Sequence, residues 1–447
     1  MKNLFLLINN SVGKLIFALI SIVSIFFYTP TTSAQVTSTG SWQTLISNAG
    51  NAIGREENAY VQAGNKFYLL GGRGIVPVQE YNPTTKTWTN KANIPIEMNH
   101  FQAITLNGLI YVVGAMNGGF PNEVPLASIY IYNPVTDKWI IGPSIPQARR
   151  RGSAGVVVYN NKIYVISGIT NGHWNGWVNW FDEYDPATNT WKTLPNAPRA
   201  RDHFHAAVIN DKIYVAGGRR SSTSTGQTFE LTIPEIDVYN FSTGIWSTLP
   251  SSSNIPTPRA GGGTVALGNE LVVIGGESTQ PTAHKETEAL NVATNVWRRL
   301  ADMNQGRHGT QAIESNNGIY IVAGAGNQGG SPLLSSHEAY YPSSTTTPTG
   351  TALTQSQLTT PATLDFGQVA TSSTTNKTLT LSNTTGNQAI VVSTIIKTGD
   401  ASFSFSAPYS MPFVIPAGGS VNVNVTLNPT NGCACKPYTS MPKTRFG

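Results

Sequence analysis

Five arginines occupy one repeating position in this 447-residue sequence, where their side chains could together bind an anion. Each stands thirteen residues before the second residue of a short apolar run such as FYLLGG (67–72). The five are Arg55, Arg151, Arg201, Arg259 and Arg307. A ring of guanidinium groups suits a carboxylate, a sulfate or a carbonyl-rich ligand, because each group offers several N–H donors in one plane. The alternative is structural: each arginine pairs with a carboxylate or carbonyl of a neighbouring repeat.

Three tryptophans fall together in the segment ITNGHWNGWVNW (169–180), where intervening glycines and asparagines predict a loop. Trp174 and Trp177, with the adjacent His173, are candidate ligand-binding residues. Flat aromatic rings stack on the CH groups of sugars, while polar side chains bind the hydroxyls. The alternative is that the loop folds back and buries its rings, and that Trp180 begins a strand.

An internal repeat supplies the elements that position these residues. Five segments align, each ending in tryptophan: EYNPTTKTW (80–88), IYNPVTDKW (131–139), EYDPATNTW (183–191), VYNFSTGIW (238–246) and ALNVATNVW (289–297). The closing tryptophans are 51, 52, 55 and 51 residues apart. Six apolar runs indicate six units, of which the second has Met98 or Asn99 in place of the arginine. The sixth unit has no closing tryptophan, but Trp42 stands 46 residues before Trp88.

This pattern resembles the Kelch repeat over residues 40–342. The resemblance implies an all-β fold, a six-bladed Kelch β-propeller whose N-terminal strand closes the last blade. It also implies that the loops between blades and the loops joining second to third strands share one face. Some Kelch propellers are copper radical oxidases with an adjacent Tyr-His pair on the metal. No Tyr-His dipeptide occurs here, so we predict no metal and no cofactor, although His203, His205 and His308 lie in relevant segments.

Five regions follow from composition and pattern. The predicted boundaries are a signal peptide (1–34), the propeller (35–342), a Ser/Thr-rich linker (343–361), a partial β-sandwich (362–432) and an irregular tail (433–447). The sandwich resembles the immunoglobulin-like domains of the ASPM–SPD-2–Hydin group through LDFG (364–367) and PAGGS (416–420). Cys433 and Cys435, both in the tail, predict no disulfide framework.

The charge balance bears on partners. Between Gln35 and Thr345 there are 21 basic and 21 acidic side chains, which argues against nucleic-acid binding. We expect an extracellular protein or glycan partner, no integral membrane span after signal cleavage, and a monomer. The localisation predicted is secreted or cell-surface, or periplasmic in a bacterium. Candidate glycosylation sites are Asn240, Asn376, Asn383 and Asn424.

These observations favour a secreted, non-enzymatic recognition scaffold that binds a protein or glycan on one loop face. The alternative is a carbohydrate-active enzyme of the sialic-acid mutarotase (N-acetylneuraminate epimerase) type, to which the chain is similar in fold and size. That resemblance implies an arginine on the substrate carboxylate and Glu57, Asp202 or Glu277 as base. No motif selects one of them, so no catalytic residue is assigned. The intracellular ubiquitin-ligase adaptor role of other Kelch proteins is disfavoured by the signal peptide.

Overall fold

The computed structural model describes residues 40–429, which form six four-stranded antiparallel sheets and a smaller β module. The predicted signal peptide, Cys433, Cys435 and the predicted tail lie outside the described residues. Strand β1 (Ser41–Thr44) precedes blade 1, which contains β2 (Asn58–Ala63), β3 (Lys66–Gly71), β4 (Pro77–Asn82) and β5 (Thr87–Asn93).

Blades 2 and 3 each carry a two-stranded hairpin between their second and third strands. Blade 2 contains β6 (Ile104–Leu106), β7 (Leu109–Val112), β10 (Ser128–Asn133) and β11 (Lys138–Ser144), and its hairpin is β8 (Met116–Asn117) and β9 (Val124–Pro125). Blade 3 contains β12 (Gly155–Tyr159), β13 (Lys162–Ile166), β16 (Phe181–Asp185) and β17 (Thr190–Leu194), and its hairpin is β14 (Ile169–Asn171) and β15 (Asn175–Trp177).

Blades 4 to 6 repeat the same sheet. Blade 4 contains β18 (Ala206–Ile209), β19 (Lys212–Val215), β20 (Asp237–Asn240) and β21 (Ile245–Thr248). Blade 5 contains β22 (Gly263–Leu267), β23 (Glu270–Ile274), β24 (Thr287–Asn291) and β25 (Val296–Arg299). Blade 6 contains β26 (Ala312–Ser315), β27 (Gly318–Val322) and β28 (His337–Tyr341). The described helices are three short 3₁₀ turns, Gln147–Arg149, Thr223–Thr225 and Ser251–Ser253. Within residues 40–429, no helix is long and apolar enough to cross a membrane.

The N-terminal strand closes the ring, which confirms the prediction drawn from the missing sixth tryptophan. Strand β1 pairs antiparallel with β28 and supplies the outer strand of blade 6, so the first blade-forming residues and the last share one sheet. The buried Trp42 indole N–H donates to the carbonyl of Ala301 at 3.0 Å and to Thr287 Oγ1 at 3.1 Å. Trp42 therefore ties the closing strand to blade 5 as well.

Packing between neighbouring blades builds the core. Six hydrophobic clusters each span two adjacent blades, including one between blades 6 and 1. The repeat tyrosines and tryptophans lie opposite each other on the third and fourth strands, as in Tyr81 with Trp88 and Tyr184 with Trp191. Their ring centroids are 4.9 and 4.8 Å apart. These flat pairs fill the space between blades, as the repeat predicts.

The C-terminal module is an immunoglobulin-like β-sandwich. Its strands are β29 (Leu358–Thr359), β30 (Thr375–Asn383), β31 (Ile390–Val392), β32 (Phe403–Ser406), β33 (Phe413–Ile415) and β34 (Ser420–Leu427). They form a sheet in the order β29-β30-β34-β32 and a smaller pair, β31-β33, around Leu381, Phe413 and Val423. The predicted linker contributes β29, and Leu353 within it packs against the core between blades 1 and 2.

Candidate functional site

An inner ring of six residues surrounds the central channel of the propeller. Each member stands two positions after an arginine of the predicted series or, in blade 2, after Met98. Its members are Glu57, His100, Ser153, His203, Gly261 and Gly309, all with φ between 50° and 64°. The backbone N–H at each of the positions from blade 2 onward donates to the carbonyl of the preceding one at 2.7–3.2 Å, and Asn58 closes the circle onto Gly309 at 3.1 Å. The ring is thus a closed belt of hydrogen bonds that joins all six blades.

Four members of this inner ring keep a side chain where glycine is favoured. A non-glycine residue at positive φ costs on the order of 1 kcal/mol, and such strain clusters at functional sites. Blades 5 and 6 use glycine there, at Gly261 and Gly309, whereas Glu57, His100 and His203 carry titratable groups. The geometry therefore points to the channel mouth as the place where this chain's chemistry lies.

A cavity of about 560 Å³ lies at that mouth. The inner ring supplies Glu57 and His100 to its lining, and the residues directly after the glycines that end the second strands supply Arg73, Arg219 and Glu277. The loops between second and third strands add His173 and the aromatic rings of Phe120 and Phe229. The volume is that of a small-molecule site. Both predicted loop types thus contribute to one cavity.

Three histidines from blades 2, 3 and 4 meet beside this cavity. His100, His173 and His203 are all buried, with ring centroids 4.8–4.9 Å apart. Nε2 of His173 lies 3.0 Å from Nε2 of His203. Each Nδ1 faces an oxygen: Asn99 Oδ1 at 2.7 Å, Glu123 Oε2 at 2.9 Å and Asp202 Oδ1 at 2.5 Å, respectively.

The two arginines of the cavity are held by carboxylates. Arg73 Nη2 lies 2.9 Å from Glu123 Oε1, and Arg219 Nη1 lies 2.5 Å from Glu277 Oε1. Glu123 therefore bridges Arg73 and His173, so the cation and the imidazole share one support. These ion pairs fix the guanidinium groups at the cavity wall.

Burial sets the protonation of the groups at the channel mouth. It raises the pKa of Glu57 to about 7, with the neighbouring Glu56 adding to the shift. Burial also lowers the pKa of His100 and of His203 well below the usual value, and nearby imidazoles and guanidinium groups act in the same direction. Both imidazoles are therefore neutral at pH 7, and Glu57 titrates near that pH.

The five arginines of the predicted ring make their hydrogen bonds within the protein. Arg55, Arg151, Arg201, Arg259 and Arg307 are all buried, and each donates to backbone carbonyls within its own blade. Four also pair with a carboxylate on the third strand of that blade, in the pairs Arg151–Asp182, Arg201–Asp237, Arg259–Glu288 and Arg307–Glu338. These contacts argue against the ligand-clamp hypothesis and favour the structural alternative, with the partner in the same blade instead of the neighbouring one.

The residues of the tryptophan loop (169–180) have different surroundings in the structure. His173 lines the cavity, but Trp174 and Trp177 do not. Trp174 is 37% exposed and donates to Asn122 Oδ1, whereas the half-buried Trp177 donates to the carbonyl of Ser221 at 2.6 Å. Trp180 stacks on Arg149, whose guanidinium carbon lies 4.6 Å from the ring centroid. Two of the three rings therefore serve the packing of the loop.

The sequons also differ in exposure. Asn376 and Asn424 are exposed, and Asn240 is half-buried. Asn383 is fully buried, and its amide nitrogen donates to the carbonyls of Gln388 and Ile415 at 2.9 and 3.0 Å. These contacts remove Asn383 as a glycosylation site in the folded protein.

Sequence reasoning missed Arg73, Arg219, His100 and Glu123. The signal for the first two was their place directly after the double glycines, as in GGR (71–73) and GGR (217–219). The signal for His100 was its position two residues after the arginine slot of blade 2. Glu123 lies in the irregular loop of blade 2, where no repeat position marks it.

Sequence models of known domains match both parts of the chain. The KLHDC2/KLHL20/DRC7 Kelch-repeats domain matches residues 140–324, and the Kelch motif matches residues 99–146. The ASPM-SPD-2-Hydin (ASH) domain, described as abnormal spindle-like microcephaly-associated, matches residues 351–443. The chain is a Kelch-repeat propeller followed by an ASH domain. The ASH match begins at 351, inside the predicted linker.

The curated relatives match this chain over only part of their own length. "Kelch-like protein terF" of Aspergillus terreus is 32% identical over 308 residues, which are 64% of this chain and 64% of that protein. "Kelch-like protein 23" of Homo sapiens is 29% identical over 304 residues, 67% of this chain and 50% of that protein. The solved structure of YjhT covers 64% of this chain and 95% of its own, with a TM-score of 0.55 and 16% identity, and shows the fold. The chain thus spans two thirds or less of the curated relatives it matches.

Proposed function

We propose that the protein is a recognition scaffold that binds a polyhydroxylated ligand, a glycan free or carried on a protein partner, in the cavity of the loop face. The observation that carries this proposal is the convergence of donors and acceptors beneath aromatic rings in about 560 Å³. Arg73 and Arg219 donate, Glu57 and Glu277 accept, and His173 supports the wall. Sugar hydroxyls require both kinds of partner.

The aromatic rings extend this argument to the rim. Phe120 is 55% exposed and lies 5.0 Å from the His173 ring, and Phe229 lies 5.0 Å from the Arg219 guanidinium carbon. A sugar ring stacked between them buries apolar CH groups while its hydroxyls reach the charged floor. We also propose that the protein acts outside the cytosol, on the strength of the N-terminal sequence pattern, and that it is monomeric.

The test is a glycan array with the full chain, followed by calorimetric titration of the strongest glycan. Phe120→Ala and Phe229→Ala are expected to weaken binding about tenfold, which corresponds to about 1.4 kcal/mol and to the loss of one stacked ring. Ile245→Ala is the matched control, because Ile245 is 65% exposed on the outer strand of blade 4. Equal affinity of all three variants and the wild type contradicts the proposal.

A second candidate function is acid–base catalysis on an acidic sugar, favoured by Glu57. This carboxyl group has a pKa of about 7 in a cavity that also holds two arginines, which suits proton transfer near neutral pH. We expect the protein to accelerate anomer exchange of N-acetylneuraminate, followed by NMR, and Glu57→Gln to slow it by about 10²–10⁴-fold. A wild-type rate equal to the uncatalysed rate removes this candidate.

A further inference from the structure

We propose that His100, His173 and His203 form a binding site for a divalent transition metal of the Zn²⁺ class, with an open coordination position toward the cavity. One metal-binding ring nitrogen from each imidazole lies within 4.8 Å of the others. Three histidines with one open position are a recurrent arrangement for zinc in proteins. The site goes beyond glycan recognition and does not depend on it.

The orientation of each imidazole supports this assignment. Asn99 Nδ2 donates to Glu97 Oε1 at 2.8 Å and to the carbonyl of Gly118 at 3.2 Å, so Asn99 Oδ1 is the acceptor toward His100 Nδ1. Carboxylates of Glu123 and Asp202 accept from the Nδ1 atoms of His173 and His203. When each Nδ1–H donates outward in this way, Nε2 is the ring atom that can bind a metal, and Nε2 of His100 also lies 3.4 Å from Glu57 Oε2.

This is the support that metal-binding histidines receive. The second nitrogen of such a ring donates to a carboxylate or carbonyl, which fixes the tautomer and raises the basicity of the ligand atom. The carboxylates are themselves held: Glu123 by Arg73 at 2.9 Å, and Asp202 by the N–H and hydroxyl of Ser221 at 3.0 and 2.7 Å. The three rings are therefore oriented before any ligand arrives.

The close contact between His173 and His203 implies that a proton or a metal cation lies between the two rings. Two Nε2 lone pairs at 3.0 Å repel each other unless a proton or a metal cation lies between them. Two nitrogens bound tetrahedrally at about 2.0–2.1 Å from zinc are about 3.3 Å apart, close to the observed separation. The widest separation involves His100, which we expect to move inward when the metal binds.

The charge around the histidines also favours a cation. Five carboxyl groups surround this network against two guanidinium groups: Glu56, Glu57, Glu123, Asp202 and Glu277 against Arg73 and Arg219. Of these five groups Glu123, Asp202 and Glu277 are buried, and nearby carboxylates stabilise a bound divalent cation. Imidazole nitrogens select Zn²⁺ and its neighbours over Mg²⁺ and Ca²⁺, which prefer oxygen.

The experiment is metal titration of the full chain after dialysis against a chelator. Cys433 and Cys435 are replaced by serine in every protein, so that thiols contribute nothing. We expect about one equivalent of Co²⁺ to bind with a visible d–d absorption band typical of low coordination number, and Zn²⁺ to displace it. Excess Mg²⁺ should leave the spectrum unchanged. Absence of saturable Co²⁺ and Zn²⁺ binding overturns the proposal and leaves a shared proton between the rings.

Variants locate the metal. Each of the single variants His100→Gln, His173→Gln and His203→Gln is expected to weaken Zn²⁺ affinity on the order of 100-fold or more. Asn99→Ala is expected to weaken it about tenfold. His284→Gln is the matched control, because its two ring nitrogens contact Ser278 and Glu286 outside the cluster. Circular dichroism of each metal-free variant verifies its fold. Zn²⁺ affinity that is unchanged in all the cluster variants, or lost equally in His284→Gln, overturns the assignment.

Discussion

Replacing Arg201 by alanine separates a structural role from a ligand-binding role for the predicted arginine ring. Its side chain is fully buried and donates to the carbonyl of Gly217 and to Asp237 Oδ2, both at 2.7 Å. Its loss leaves Asp237 buried, although Arg199 still contacts that carboxylate at 2.5 Å. Breaking a buried ion pair costs about 3–5 kcal/mol, and because Asp237 keeps one partner we expect about 3 kcal/mol for Arg201→Ala.

The opposite change is expected to cost more. Asp237→Ala leaves the Arg201 guanidinium fully buried with only the carbonyls of Gly217 and Glu235 as partners, so we expect about 5 kcal/mol. The double variant should be less destabilised than the sum of the single variants, because either change alone already breaks the pair.

Equilibrium urea unfolding measures these differences by linear extrapolation, and titration of the folded variants measures ligand affinity. Arg220→Ala is the control, because Arg220 is exposed on the loop between the second and third strands of the same blade, and its loss should change stability by at most about 0.5 kcal/mol. We expect Arg201→Ala to retain the wild-type affinity for Zn²⁺ and for the glycan. Wild-type stability combined with lost affinity would refute the structural role and restore the clamp.

Three further outcomes follow from the contacts described above. Trp42→Ala should destabilise the ring by about 3–5 kcal/mol in urea unfolding, since it removes a buried indole and the tie between β1 and blade 5; an unchanged midpoint contradicts closure by β1. Burial lowers the pKa of His337 to about 3, so the unfolded chain takes up its proton first and stability is lost as pH falls from about 6.5 toward 3, by about 4–5 kcal/mol; His337→Phe should flatten this slope in acid unfolding, and an equal slope in both proteins contradicts it. Peptide mass spectrometry of the folded protein from a glycosylating host should show no glycan on Asn383, and a glycan there contradicts the burial of its amide.

The propeller could be predicted from the sequence because its information is periodic. The Tyr and Trp positions recur every 51 to 55 residues, and the structure places each pair opposite each other on the outer strands. The absent sixth tryptophan and the early Trp42 together required a strand from the other end of the chain, because an open edge would expose unpaired backbone groups. Periodicity thus determined both the number of blades and the mode of closure.

The sequence also indicated the structural role of the arginines, through a second recurring position on the third strands. The third strands carry Gln79, Asp182, Asp237, Glu288 and Glu338, each two residues before the repeat tyrosine or its equivalent. Blade 2 has Met98 in the arginine slot and Tyr130 in the acidic slot, so both members of the pair are missing together. A ligand clamp does not require that correlation, whereas an arginine that binds the third strand of its own blade, as in the other five blades, does.

The candidate site could not be predicted in the same way, because it is made from what the repeats do not share. His100, His173 and His203 come from three blades and two kinds of loop. In the sequence His173 lies 73 residues after His100 and His203 lies 30 residues after His173, yet the ring brings them into contact. His173 lies in the hairpin of blade 3, and among the described residues only blade 2 carries another two-stranded hairpin at the equivalent place. Only the closed ring specifies which of these singular side chains meet.

The inner ring gives the channel mouth a fixed backbone on which the side chains differ from blade to blade. Its backbone is fixed by the belt of hydrogen bonds, so every blade offers the same positive-φ position with its side chain at the mouth. Glycine satisfies that position at no cost in strain, and blades 5 and 6 use it. Glu57, His100 and His203 adopt the strained positive-φ conformation. They lie on the side of the ring where Arg73, Glu123 and Asp202 orient the neighbouring side chains through ion pairs. The fold therefore supplies six equivalent positions, and the sequence places titratable groups at three of them.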